Sequence, residues 1–279
     1  MRCELLALDV DGVLVGPDNR VAAELADAVA AAAGVFRVVL ATGRSYRETI
    51  DVWRALNLPE PYEPLVLVGG ALIVEPDTGR ALRESAIKRD VACEFADALN
   101  RRGHSAAVIV DAWRNDVEYY LAESDDAKDV LDRWFSQMDV PLERVARLSQ
   151  VPDLPRPLRI NACAEPDEAA ELAEELAGEF DGRLNIHAIL APNYGVTIVE
   201  AFAAGVSKWQ GLRYVAQRYG IGPGAMVAVG DDINDVEMVR GAGLGVAMPD
   251  ASDSLKAVAD TTAEPDLASF LKRLLAEHR

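Results

Sequence analysis

The chain has 279 residues with 28 Lys and Arg against 46 Asp and Glu, which gives a formal net charge of −18 at pH 7. This balance argues against nucleic acid or an anionic membrane as a main partner, because such binding needs clusters of basic side chains. There is no apolar run of about 18 residues and no leader-like N-terminus, and the three cysteines are scattered, so we expect a cytoplasmic protein with reduced thiols.

The first 75 residues alternate between strand and helix patterns. Continuous apolar runs predict buried strands, and a run of Ala, Leu and Val that ends at Gly34 predicts a helix. The predicted elements are a strand at 5–8, a helix at 21–33, a strand at 37–41, a helix at 46–56 and a strand at 65–68. Strands and helices that alternate with short links predict a parallel, doubly wound α/β sheet.

The pattern changes in the middle of the chain, where hairpins are mixed with helices. The predicted elements there are a hairpin at 71–74 and 80–85, helices at 90–102, 125–138 and 165–178, and strands at 106–111, 117–121, 158–163 and 183–190. From about residue 194 the first pattern resumes, with helices at 207–219, 234–240, 251–259 and 267–277 and strands at 225–229 and 244–247. The interpretation is one α/β domain made of residues 1–75 and 191–279, with an α+β domain inserted at 76–190.

Asp9 and Asp11 directly follow the first predicted strand. Phosphoryl transfer from a monoester needs a nucleophile that attacks phosphorus and a group that protonates the leaving oxygen. A carboxylate can attack and form an aspartyl phosphate, and extended backbone sends residues two apart to the same side. The pair therefore fits a nucleophile and a general acid–base, although Asp11-Gly12 alone is equally typical of a solvated turn.

A second acidic segment follows a later predicted strand. Mg²⁺ prefers oxygen ligands, and the carboxyl ends of parallel strands share one edge of a sheet, so Asp231 is the natural metal-binding partner of Asp9. Asp232 and Asp235 are open to two interpretations. They either support the metal site or cap the helix that follows them.

Weaker signals come from side chains next to predicted helix starts and from one histidine. Thr42, Gly43 and Arg44 lie between a strand and a helix, where a hydroxyl and free N–H groups can cradle a phosphate, although such a turn is common without one. Lys208 begins a helix, and a lone Lys there is more often a solvated surface residue. His187, in a predicted strand of the inserted block, is a candidate for substrate contact, with a structural role favoured.

Four motifs in this order resemble the haloacid dehalogenase superfamily: D-V-D-G-V, A-T-G-R, a single Lys after G-V-S, and G-D-D-I-N-D-V-E-M. The A-T-G-R form, the inserted block and the tail G-A-G-L-G-V-A-M-P-D resemble its Cof-type phosphatases with a large C2 (type IIB) cap. The resemblance covers residues 1–75 and 191–279, and it implies a Rossmann-like core with the inserted block as its cap. It further implies a Mg²⁺-dependent phosphatase that acts on a small phosphorylated metabolite, such as a sugar phosphate, through a phospho-aspartate.

The resemblance also implies a role for each motif residue. The implied catalytic residues are Asp9 as nucleophile, Asp11 as general acid–base and Lys208 as the cation that neutralises charge. The implied Mg²⁺ ligands are the carboxylates of Asp9 and Asp231 and the carbonyl oxygen of Asp11, with Asp232 and Asp235 in support. The predicted phosphate- or substrate-binding residues are Gly12, Thr42, Gly43, Arg44 and Asn234.

Two positions depart from the family pattern. Asp232 stands where members often have Gly, and Gly69 stands where they often have the Asn of N-G-A, which removes a side chain from the substrate side. Two alternatives stay open from the sequence, namely a phosphomutase on the same scaffold and a binding or regulatory protein without turnover. Hydrolytic dehalogenation is disfavoured, because it needs neither Mg²⁺ nor a second acid at position 11. The sequence predicts neither the particular substrate nor the oligomeric state.

Overall fold

The computed structural model describes residues 3–124, 135, 140–191 and 196–278. Contacts between Cα atoms divide the chain into unit 1, Met1–Arg83 with Ser207–Arg279, and unit 2, Glu84–Val206. Each unit has a buried apolar core of its own. Within the described ranges, no helix combines the length and the apolar character that crossing a bilayer requires.

The elements within the described ranges are numbered in chain order. The strands are β1 (Leu5–Leu8), β2 (Arg37–Leu40), β3 (Leu65–Leu67), β4 (Leu72–Val74), β5 (Ala81–Glu84), β6 (Ala106–Ile109), β7 (Tyr119–Ala122), β8 (Leu142–Val145), β9 (Arg159–Ala164), β10 (Leu184–Ala191), β11 (Val196–Ala203), β12 (Met226–Gly230), β13 (Leu244–Ala247) and β14 (Thr261–Thr262). The helices are α1 (Ala23–Ala33), α2 (Tyr46–Ala55), α3 (Arg89–Arg101), α4 (Pro166–Glu179), α5 (Lys208–Gln217), α6 (Val236–Gly241), α7 (Asp253–Lys256) and α8 (Leu267–His278).

Unit 1 is built on a five-stranded parallel sheet in the order β14-β13-β12-β1-β2. β1 lies in its centre, and all four of its residues are buried, as expected for a parallel strand that is covered on both faces. A parallel bridge from Ala41 to Val66 joins β2 to the sheet β3-β4-β5. The predicted parallel, doubly wound α/β sheet is confirmed, and the carboxyl ends of β12, β1 and β2 lie side by side along one edge.

Unit 2 contains a six-stranded sheet in the order β10-β11-β9-β6-β7-β8. Its strands pair antiparallel apart from β7 and β8, which run parallel. Side chains of α3 and α4, among them Phe95 and Leu172, pack in one core with strand residues such as Val108 and Val199. The mixed α+β character of the middle block is therefore confirmed. The helix expected at 125–138 lies outside the described residues except for Phe135.

The unit boundaries fall later in the chain than the boundaries expected at 75/76 and 190/191. Most of β5 belongs with β3 and β4 in unit 1, so the first boundary follows Arg83. β11, in a stretch expected to belong to the first domain, pairs between β10 and β9, so the second boundary follows Val206. The sequence analysis missed this strand, as it missed β8 and the two-residue β14. Whether the units are independent domains stays a prediction.

Ser45 caps the N-terminus of α2 in a reciprocal arrangement. Its hydroxyl accepts a hydrogen bond from the Glu48 N–H at 3.4 Å, and its own N–H donates to the Glu48 carboxylate at 2.9 Å. Because loss of such a cap costs about 1 kcal/mol, we expect Ser45→Ala to lower the free energy of unfolding by about that amount in urea denaturation. Ser269→Ala, inside α8 and away from its cap, is the matched control. Equal stabilities for the two variants would contradict the capping role.

Candidate active site

Asp9 lies at the carboxyl end of β1, in the middle of the parallel sheet. Its N–H donates to the Val229 carbonyl of β12 at 3.1 Å, and the residue is 3% exposed. Burial, followed by the negative charge of Asp235, raises the pKa of the Asp9 carboxyl well above its usual range, while Lys208 acts in the opposite direction. The charged form of Asp9 therefore depends on neighbouring cations.

Lys208 supplies such a cation from the first turn of α5. Ser207 caps this helix by accepting the Gln210 N–H, and the Lys208 side chain is 2% exposed. Its Nζ lies 2.8 Å from Asp9 Oδ1 and 2.7 Å from Asp235 Oδ1. Burial lowers the pKa of the ammonium, but the charges of Asp235 and Asp9 outweigh burial and raise the pKa above its usual value. The interpretation of Lys208 as a solvated surface residue is wrong, because it is a buried, ionised group.

Asp235 organises the acidic segment that follows β12. It is fully buried, and its Oδ2 accepts the N–H groups of Asp231 at 3.0 Å and Asp232 at 3.4 Å. Its Oδ1 accepts a hydrogen bond from Lys208. Asp232 is the half-buried N-cap residue of the short 3-10 turn Ile233–Asp235. Both expectations for this segment hold in part, since Asp235 orients the backbone of the turn and also pairs with the buried ammonium.

Three carboxylates of this edge fit a hard cation. Asp9, Asp231 and Asp235 each offer one oxygen, and these oxygens lie within 4.8 Å of one another. Burial, followed by the charge of Asp235, raises the pKa of the Asp231 carboxyl to about 7. Acids crowded in this way attract a cation, and carboxylate oxygens are the ligands that Mg²⁺ takes. Because both oxygens of Asp235 already accept hydrogen bonds, Asp9 and Asp231 have the freer oxygens.

Asp11 lies two residues beyond Asp9 and is paired with Arg44. The guanidinium donates from Nε to Oδ2 at 2.9 Å and from Nη2 to Oδ1 at 2.6 Å, and it also donates to Asn19 Oδ1 at 2.6 Å. Two parallel charge-assisted hydrogen bonds fix the plane of the carboxylate. Arg44 was expected on the phosphate, and the structure places it on Asp11 instead. No sequence signal links these positions or points to Asn19.

The turn after β2 is held by its neighbours on several sides. Thr42 is fully buried, its N–H donates to the Val66 carbonyl, and its carbonyl accepts the Gly69 N–H. Its Oγ1 accepts the Arg44 N–H at 3.1 Å, so Gly43 is enclosed in a tight turn directly before α2. A hydroxyl beside a helix N-terminus is placed as the phosphate cradle requires.

Two glycines allow the site segments to approach one another. Gly12 has φ +68°, and a Cβ there would lie 2.0 Å from Asp231 Oδ2. Gly70 has φ +97°, and its Cβ would lie 2.1 Å from the Ser207 carbonyl oxygen, which precedes Lys208. Gly69, in the place of the usual Asn, has φ +61°, a conformation that Asn and Gly both tolerate, so the backbone turn does not need the Asn side chain.

The structure therefore brings most of the predicted residues together. One carboxyl-end cluster contains Asp9, Gly12, Lys208, Asp231, Asp232 and Asp235, and Asp11 and Arg44 form a pair beside it. Asn234 is half-buried, and its amide oxygen has no hydrogen-bond partner among the described residues, as for a group that awaits a ligand. The roles of these residues stay predictions.

Comparison with known proteins places this arrangement among hydrolases. Residues 6–266 match the family model described as haloacid dehalogenase-like hydrolase. A phosphoglycolate phosphatase from Natronomonas pharaonis is 26% identical, over 96% of this chain and 95% of its own length. A 5-amino-6-(5-phospho-D-ribitylamino)uracil phosphatase from Bacillus subtilis is 24% identical, over 96% of each chain. A phosphatase structure of the haloalkanoate superfamily from Bacteroides thetaiotaomicron, 22% identical, has the same fold with a TM-score of 0.79 over 98% of this chain and 95% of its own.

The raised pKa of Asp231 predicts how stability changes with pH. The carboxyl titrates near 3.8 when unfolded and at about 7 when folded, so the folded state holds the extra proton between these values and loses stability as the pH rises through them. We expect Asp231→Asn to remove this loss, so that in chelator the variant gains stability over the wild type between about pH 4.5 and about pH 8.

Urea denaturation at both pH values measures the effect. Asp266→Asn is the control, because hydrogen bonding from the Ser269 N–H lowers the pKa of the Asp266 carboxyl below both test conditions. The same difference from wild type at both pH values for Asp231→Asn would contradict the raised pKa.

Proposed function

The chain belongs to the haloacid dehalogenase-like hydrolases as one of their Cof-type phosphatases, and from this premise we propose that it hydrolyses a small phosphorylated metabolite through a Mg²⁺-dependent phospho-Asp9 intermediate. The observation that carries the proposal is the Lys208 ammonium, 2.8 Å from Asp9 and 2.7 Å from Asp235. A buried carboxyl can attack phosphorus only while it is ionised, and the ammonium stabilises that form.

Asp9 is the proposed nucleophile because of its burial and its position. One carboxylate oxygen forms a bond to phosphorus, and the bond from phosphorus to the leaving oxygen breaks on the opposite side. Lys208 lies against Asp9 and opposes the build-up of negative charge as the phosphoryl group approaches. This local cation matters in a chain of net charge −18, whose overall field repels an anionic substrate.

Asp11 is the proposed general acid–base, and Arg44 controls its orientation. A neutral Asp11 carboxyl protonates the leaving oxygen, and the resulting carboxylate then takes a proton from the water that attacks phospho-Asp9. Both Asp11 oxygens accept hydrogen bonds from Arg44, which favours the carboxylate form. Asp11 must therefore release at least one of these hydrogen bonds before it can act as an acid.

The metal and phosphate positions follow from the same cluster. Asp9 and Asp231 would hold Mg²⁺ with their carboxylates and Asp11 with its carbonyl oxygen, and the bound ion would neutralise charge on the phosphoryl oxygens. Thr42 and the backbone around Gly43 would donate to the transferring group from the start of α2. The similar phosphatases from Natronomonas pharaonis and Bacillus subtilis are named for small phosphorylated metabolites, which supports a substrate of that size.

Replacement of the two acids tests the mechanism. We expect Asp9→Asn to abolish release of inorganic phosphate from p-nitrophenyl phosphate, because the amide cannot attack phosphorus. Asp11→Asn should lower kcat by about 10²–10⁴-fold, the usual contribution of general acid–base catalysis. Asp18→Asn, an exposed acid outside the cluster, is the matched control and should keep the wild-type rate.

Two results would count against this mechanism. Wild-type rates in both acid variants would remove the assigned roles. Labelled phosphoenzyme should be trapped with the wild type and not with Asp9→Asn. Phosphate release that required an added bisphosphate would point instead to a phosphomutase.

Metal removal gives a separate prediction. We expect dialysis against a chelator to abolish phosphate release and added Mg²⁺ to restore it, because the buried acids then regain their counter-charge. Mg²⁺ should also raise the Tm of the chelated wild type, and this shift should be smaller in Asp231→Asn, which lacks one ligand. Full activity in chelator, or an equal Tm shift in both proteins, would contradict the proposed metal site.

A further inference from the structure

A row of polar side chains crosses the sheet of unit 2. His187 of β10, Glu200 of β11 and Asn161 of β9 lie directly opposite one another in the strand register, so their side chains share one face of the sheet. Arg159, two residues before Asn161, lies on the same face. The residues that alternate with them, such as Val199, pack in the core with α3 and α4. These four side chains, the polar row, therefore lie on the face away from the two helices.

The charges in the polar row balance one another. Arg159 Nη1 lies 2.8 Å from Glu200 Oε1, and both side chains are buried. His187 Nε2 lies 3.4 Å from Glu200 Oε2, and its ring stacks on Phe202 with the centroids 5.7 Å apart. A second carboxylate brought to this row would meet Glu200, and the one guanidinium of the row is already paired. The row therefore suits an uncharged polar group better than an anion.

Asn161 is the member of the row without an internal explanation. It is fully buried, and neither its Oδ1 nor its Nδ2 has a hydrogen-bond partner among the described residues. Buried side-chain amides nearly always have partners, because an unmet donor or acceptor has lost its water for nothing. Asn100 of the same unit shows the usual state, with Nδ2 donating to the carbonyls of His104 and Ala122.

We propose that the polar row binds hydroxyl groups of the organic part of the substrate, so that the enzyme acts on a phosphorylated sugar or polyol rather than on a phosphorylated carboxylic acid. A hydroxyl both donates and accepts, which matches the open Oδ1 and Nδ2 of Asn161. Glu200 and Arg159 offer an acceptor and a donor next to it for a neighbouring hydroxyl. The inference rests on the proposed function, since it takes the substrate to be a phosphomonoester.

Kinetics with matched substrates test the row. We expect wild-type kcat/KM for glucose 6-phosphate or sorbitol 6-phosphate to exceed that for 2-phosphoglycolate by about tenfold or more. Asn161→Leu should raise KM for the hydroxylated substrate about tenfold and leave p-nitrophenyl phosphate within about twofold. Its Tm should not fall, because the variant removes an unpartnered buried amide.

Two further variants separate binding from folding. Asn161→Asp keeps the side-chain shape and should raise KM for the hydroxylated substrates in the same direction, so the test survives a failure of the Leu variant to fold. Asn100→Leu, which breaks two hydrogen bonds, should lower the Tm and leave the ratio between substrates unchanged.

Several outcomes would overturn the inference. A preference for 2-phosphoglycolate would do so, as would an equal change for all substrates in Asn161→Leu. A lower Tm in that variant without a change in substrate ratio would assign Asn161 to a structural water. If the wild type hydrolysed no phosphomonoester at all, the proposed function would fail. Saturation-transfer NMR with sorbitol should then still detect binding to the wild type and not to Asn161→Leu, and equal signals would overturn the row.

Discussion

The buried ammonium of Lys208 is the interaction on which the candidate active site depends. It lies between Asp9 at the end of β1 and Asp235 after β12, and it is the cation that lets these acids share one buried space with Asp231. Like charges raise one another's pKa, and a buried charge left without its partner is strongly destabilising. The position of α5 on the sheet is therefore fixed by charge as well as by packing.

The order of the strands turns that single contact into a complete site. Because β1 lies between β12 and β2, the residues that follow these three strands meet along one edge, which brings Asp9, Thr42 and Asp231 together. Gly12 and Gly70 remove the side chains that would otherwise hold the segments apart. The Arg44 guanidinium then orients Asp11, so each acid of the pair has a basic partner of its own.

The sequence was informative where function depends on local order. Apolar runs that end in acids predicted β1 and β12, because the rule that places ligands at strand ends needs no knowledge of distant contacts. The burial of Lys208 was not visible locally, since its partners Asp9 and Asp235 come from other parts of the chain. The Asp11–Arg44 pair and the polar row were equally hidden, because side-chain geometry creates the one and strand register the other. β11 was missed because apolar residues fill both of its faces, so it lacks the alternation of a half-buried strand.

The pairing of Leu5 with Met226 sets the order in which the protein can become active during its synthesis. Unit 2 is one continuous stretch, Glu84–Val206, and it is complete before Ser207 is added. β1 gains its second neighbour only when β12 has been made, and contacts so distant in sequence form slowly. A nascent chain therefore carries Asp9 and Asp11 from the start without a sheet to align them. Catalytic competence is among the last properties that the chain acquires, after its inserted unit has had time to fold.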